Sequence, residues 1–113
     1  MKIIGSSITR AELKEHALNL FGNMVKAVVD VEQELLAIDA ELHSDLEALL
    51  LEEGSKQKNL WGINLYPELE GDDFIEFDSM INVRPSQNNK SRGIESESLR
   101  KNVIEIVNKR IAK

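Results

Sequence analysis

The chain has 113 residues, 42% hydrophobic and 30% charged, the composition of one soluble globular domain spanning 1–113 rather than of a disordered segment. It contains no cysteine, which excludes disulfides, thiolate catalysis and Cys-based zinc sites. The net charge of −6 argues against non-specific nucleic-acid binding, which rests on neutralising phosphates with Lys and Arg.

Taken in chain order, "KII" at Lys2 to Ile4 is a short strand ended by Gly5-Ser6-Ser7. Only two apolar residues follow Lys2 before Gly5, so no secretory leader is expected. No apolar stretch reaches the ~18 residues that span a bilayer. A cytoplasmic, membrane-free protein is the expectation. Thr9 with Glu12 three residues on forms a capping box, in which the two side chains satisfy orphan amides at a helix start. The helix carries Leu13, Ala17, Leu20, Phe21 and Met24 on one stripe and stops at Gly22-Asn23. "VKAVVDV", Val25 to Val31, is β-branched and alternating, hence a strand, with Lys26, Val28 and Asp30 on its second face. Glu32-Gln33-Glu34 breaks it and "LLAID" returns antiparallel. Leu35, Ile38, Leu42, Leu46 and Leu49 also fit a helical stripe, so periodicity leaves one long helix from Val31 open as the alternative.

Ser44 with Glu47 reads as a second capping box, and Gly54 suits the position past a helix end, giving a helix from Asp45 to Glu53. "LWGINLY", Leu60 to Tyr66, is a strand with Trp61, Ile63 and Leu65 on one face. Pro67 to Asp73 turns, and "FIEFDSMINV", Phe74 to Val83, is a further strand that Pro85 ends. After a polar loop, a helix runs from about Ser96 to Ala112 with Leu99, Val103, Ile106 and Val107 inward. The order β-α-β-β-α-β-β-α implies a two-layer α+β domain, a mostly antiparallel sheet of four or five strands with three helices on one face. Val28, Phe74 and Met80 would then lie on the uncovered face, which suggests a homodimer.

No nucleophile elbow, phosphate loop or H-E-x-x-H occurs. Of the two histidines, His16 reads as structural. His43, beside a helix start with Glu41, is the candidate proton-transfer group. Asp30, Glu76 and Asp78 could share a sheet face and hold a divalent cation, although a solvated face explains them as well, so no metal is assigned. "RPSQNNKSR", Arg84 to Arg92, combines guanidiniums, hydroxyls and amides suited to an anion. The candidate ligand-binding set is His43, Ser55, Gln57, Asn64, Arg84, Asn89 and Arg92.

Strings such as "ELHSDLEALLLEEGSKQKNLWGINLYP" and "FDSMINVRPSQNNKS" resemble an uncharacterised family of short prokaryotic proteins, a domain of unknown function. Its pattern maps onto Asp30, Glu41, His43, Asp45, Gly54, Ser55, Gln57, Trp61, Gly62, Asn64, Arg84 and Pro85. This chain departs from it at Asp39-Ala40, where relatives carry glycines. The resemblance implies where a site lies and no reaction. Two readings follow: a cofactor-free binding module for a small anionic ligand or a protein, and a small hydrolase that is metal-assisted or uses His43 as general base. Whether the chain is an enzyme is left open.

Overall fold

The computed structural model describes residues 1–112; Lys113 lies outside the described residues. Strand β1 (Lys2–Ile4) is followed by the two-residue β2 (Ile8–Thr9) and helix α1 (Arg10–Leu20). Thr9 and Glu12 make the expected capping box, and Gly22, at φ +89°, lets the chain leave the helix. Strands β3 (Val25–Asp30) and β4 (Leu35–Ile38) form the expected hairpin, which disposes of the long-helix alternative. Its turn is held by the buried Asp30 carboxylate, which accepts from the backbone amides of Glu32 and Gln33. Then come α2 (His43–Glu52), β5 (Leu60–Leu65), β6 (Ile75–Glu76), α3 (Glu97–Arg110) and β7 (Ile111–Ala112).

Five strands form one antiparallel sheet in the order β1-β4-β3-β5-β6. The α+β class, the antiparallel sheet and the three helices are as the sequence predicts. The helices, however, cover both faces. Leu13 and Ala17 of α1 and Val103, Ile106 and Val107 of α3 pack with Val25, Ala27, Val29, Leu36, Ile38, Trp61, Ile63 and Leu65. On the other face Leu46 and Leu50 of α2 cover Val28, Ala37 and Leu60. The expected two layers are therefore three. The reason lies on the second face, where Val28 of β3, Ala37 of β4 and Leu60 of β5 form an apolar patch that needs its own cover. Burying Leu46 and Leu50 contributes roughly 1.5–3 kcal/mol each. Of the three residues that suggested a dimer, Val28 lies under α2, Phe74 sits in the main core and Met80 alone is exposed.

The predicted strand Phe74–Val83 is the largest local departure. Only Ile75 and Glu76 pair with β5. Beyond them the edge of β5 is satisfied by a side chain: Asn82 accepts from the Gly62 amide (2.8 Å) and donates to the Gly62 carbonyl (2.9 Å). Gly62 has no side chain to obstruct this, and a Cβ there would stand 2.5 Å from the Ser79 Cβ. Freed from the ladder, the chain runs through short 3-10 turns at Met80–Asn82 and Pro85–Gln87. A second, parallel pair joins β2 to β7, which the sequence pattern does not announce. Among the described residues, no helix is long and apolar enough to cross a membrane.

Candidate functional site

Helix α2 begins two residues earlier than its sequence suggests. Leu42 is the N-cap and offers no side-chain hydrogen bond, so Ser44 does not cap and the Ser44–Glu47 box does not form. What fixes the start is His43. Its ring is directed onto the sheet, and Nε2–H donates to the Ile63 carbonyl at 2.8 Å. A carbonyl only accepts, so this bond sets the tautomer and leaves Nδ1 as a bare acceptor in the neutral ring. His43 is only 9% exposed. Burial pushes its imidazole below the ordinary 6.5, the Ile63 carbonyl opposes this, and the nearby Lys26 ammonium adds to it. Asp78 and Asn64 weakly oppose.

Asn64, on β5, is 6% exposed. Its amide nitrogen donates to Glu76 Oε1 (2.8 Å) and to the Asp78 carbonyl (3.3 Å). Both partners are acceptors, which fixes the orientation of the carboxamide. The Oδ1 atom is left toward His43, buried and without a donor. A buried carbonyl-type oxygen without a partner costs about 1–3 kcal/mol. Asn64 Oδ1 is thus a buried acceptor without a donor near the His43 ring, whose Nδ1 makes no hydrogen bond either.

Around them lies a cleft of about 400 Å³, lined by Lys26, Ser44, Glu76, Asp78, Ser79 and Arg92 and by Met24, Leu42, Met80 and Ile81. Arg92 Nε holds Asp78 Oδ1 at 2.7 Å, and the Tyr66 hydroxyl donates to Glu76 Oε1 at 3.0 Å. The start of α2, at Leu42, His43 and Ser44, lines this cleft without a side-chain cap and brings it the positive end of the helix dipole, although the Asp45 amide is taken by the Leu42 carbonyl. A larger cleft of about 570 Å³ lies where α3 meets β6, lined by Ile75, Phe77, Arg100 and Ile104. No unpartnered buried polar atom is among its lining residues.

Three residues of the sequence-predicted set, His43, Asn64 and Arg92, come together here, joined by Glu76 and Asp78. The others lie elsewhere. Ser55 donates to Asp30 Oδ2 at 2.6 Å and locks the β3–β4 turn. Arg84 lies over the Trp61 ring, 4.2 Å from its centre, and spends its donors on the carbonyls of Ile81, Gln57 and Leu60 and on the Gln87 side chain. Gln57 therefore contributes its backbone, not its amide. Asn89 donates to three carbonyls of its own loop. Glu41 is exposed and does not line the cleft. Asp30 stands opposite Leu60 while Glu76 stands opposite Asn64, so the three carboxylates do not converge. Among the described residues no group of three or more acidic, His or Cys side chains could hold a metal ion. His16 pairs with Asp39, Nδ1 to Oδ1 3.4 Å. Lys26, Ser44 and Ser79 were not in the set. The signal for Lys26 was present in "VKAVVDV": the one cation on the second face of a largely apolar strand.

The fold and the site define a small α+β domain with a polar cleft on one sheet face, at the uncapped start of a helix. The chain matches the family described as "Protein of unknown function (DUF5674)" over residues 2–110 and belongs to it. No curated protein and no solved structure matches the chain.

Proposed function

We propose that the chain is a small cytosolic binding module whose ligand occupies the cleft between α2, β5 and β6. The observation that carries this reading is the Asn64 oxygen, buried without a donor on a strand that lines the cleft, near a His43 ring whose Nδ1 makes no hydrogen bond. A ligand that brings an O–H or N–H to this pair removes the cost of leaving a buried acceptor unmade. The positive end of α2 and the Lys26 ammonium favour an anionic group on the same ligand. A carboxylate or phosphate that also bears hydroxyl or amino groups meets both demands.

The test is a thermal-shift screen of small hydroxy, amino and phosphorylated acids. A ligand at a hundredfold its Kd stabilises the native state by about 2.7 kcal/mol, which at this size raises Tm by several degrees. Asn64→Leu should keep the fold and lose the shift. A shift that survives in Asn64→Leu places the ligand elsewhere and sinks the reading.

A second reading has its own support. His43 is held neutral by burial, oriented by the Ile63 carbonyl and bare at Nδ1, the state a general base requires. On that reading the cleft hydrolyses its ligand and His43→Gln abolishes turnover while leaving ligand-induced stabilisation in place. Stabilising ligands recovered chemically unchanged after prolonged incubation decide for the binding module.

A further inference from the structure

The register of the sheet gives the cleft a direction. Lys26 of β3 lies opposite Asn64 of β5, and Asn64 lies opposite Glu76 of β6. Directly opposed residues stand about 4.5–5.5 Å apart at Cβ, so an ammonium and a carboxylate flank the Asn64 amide, their stems separated by about 10 Å. Asp78 is occupied by Arg92. Lys26 makes no ion pair among the described residues; its nearest partner is the Phe21 ring, with Nζ 5.3 Å from the ring centre.

The titratable lining therefore carries two cations and two carboxylates, and it is balanced rather than basic. A bare anion drawn to Lys26 also meets Glu76 and Asp78. A cation drawn to Glu76 meets Lys26 and the positive end of α2. A dipolar ligand is attracted at both ends. The unpartnered Asn64 oxygen and the free Nδ1 of His43 sharpen the choice of donor. One hydroxyl supplies a single proton, whereas an ammonium supplies three, enough for Asn64 Oδ1, His43 Nδ1 and a Glu76 oxygen together.

Taking this cleft as the ligand site, we propose that the ligand is a free α-amino acid with an apolar side chain. Its ammonium sits among Asn64, His43 and Glu76, and its carboxylate faces Lys26 and the positive start of α2. Its two charged groups are adjacent, and a hydrogen bond of about 2.8 Å at each end lets it bridge the Lys26–Glu76 row. Its side chain rests on Met24, Leu42, Met80 and Ile81. Leu42 and Met80 are 54% and 66% exposed, an apolar rim that polar groups lining the cleft do not explain. The volume of about 400 Å³ holds a molecule of this size.

Calorimetry on the full chain, with backbone amide chemical shifts to locate binding, tests this. L-Leucine, L-methionine and L-phenylalanine are the probes. The controls are 4-methylpentanoate, which lacks the ammonium, leucinamide, which lacks the carboxylate, and inorganic phosphate. At least one of the three amino acids should bind with shifts at Lys26, Asn64 and the first turn of α2. For leucine, the two truncated analogues should bind about tenfold or more weakly, the loss expected of a hydrogen bond to a charged group. Glu76→Gln keeps an acceptor for Tyr66 and Asn64 but removes the charge; it should bind tenfold or more weakly at unchanged Tm. Phosphate or 4-methylpentanoate binding in the cleft as tightly as leucine overturns the amino-acid assignment while leaving the cleft a ligand site. An affinity unchanged in Glu76→Gln, or no binding of all three amino acids at millimolar concentration, also overturns it.

Discussion

His43 couples the cleft to pH through its burial. Because its imidazole lies below the ordinary 6.5, the native chain takes up this proton less readily than the unfolded chain does. Stability from this group is complete above about 6.5 and is lost as pH falls from there toward the depressed native value, where unfolded chains bind the extra proton. His43→Gln, whose side-chain amide can still donate to Ile63, should show a shallower fall of Tm across that window; parallel curves for the two proteins would refute the assignment. Asn82 is the other residue with a sharp expectation. Asn82→Ala strands the Gly62 N–H and C=O on a buried strand, at about 1–3 kcal/mol for each group, read by chemical denaturation. Gly62→Ala forces a Cβ onto Ser79 and should cost about 1–3 kcal/mol. At this scale the sequence spoke ambiguously for a physical reason. The residue types that bind ligands, Arg, Asn, Ser and Gln, are also those that satisfy the amides and carbonyls of irregular backbone. The stretch from Phe77 to Ile94 needs many such partners, so Arg84 and Asn89 look like ligand residues and act as braces. His43 and Asn64 differ only in what they leave unsatisfied, which no sequence states.

Elements whose neighbours are supplied by the regular pattern were legible: the β3–β4 hairpin, β5 and α3 follow apolar spacing, and α1 follows its capping box, although of its predicted stripe only Leu13 and Ala17 are buried while Leu20 and Phe21 are exposed. The failure at 74–83 shows where spacing stops being informative. The alternation in "FIEFDSMINV" is real, but a strand exists only if a neighbour offers a ladder, and the edge of β5 is taken by the Asn82 amide. Context therefore overrode propensity. The start of α2 moved for a similar reason, since the anchoring of His43 on Ile63 outweighs capping by Ser44. Arg84 ties the segment after this break to the turn before β5. Its planar fork reaches the Ile81, Gln57 and Leu60 carbonyls while lying on Trp61, which a single ammonium cannot reproduce. Arg84→Lys should lose about 2–3 kcal/mol in denaturant unfolding. It should leave ligand affinity unchanged, because Arg84 does not line the cleft; a large affinity loss would return Arg84 to the site.

For the molecule as a whole, class and sheet were legible and layering was not, because Lys26 and Asp30 on β3 made its second face look solvated, while the patch that α2 covers is assembled from Val28, Ala37 and Leu60 of three different strands. The pairing of β2 with β7 was invisible, since two-residue strands carry no period. That pairing has a consequence in time. The Arg110 guanidinium donates to the Ser6 carbonyl, 104 positions away in sequence, and Ile8 lies beside Ile111. Closing so long a loop has an entropic cost that grows as the logarithm of its length. Two residues of parallel ladder offer little return for it until the sheet and α1 have already brought the segments together. The clasp should therefore be the last joint made in folding and the first released in the native ensemble. Hydrogen exchange can watch this directly. Amides of the β2–β7 pair should open locally, at a free energy well below that of β3 and β5 amides, which wait for global unfolding. Equal protection in the two sets would mean that the chain ends belong to the cooperative core from the start.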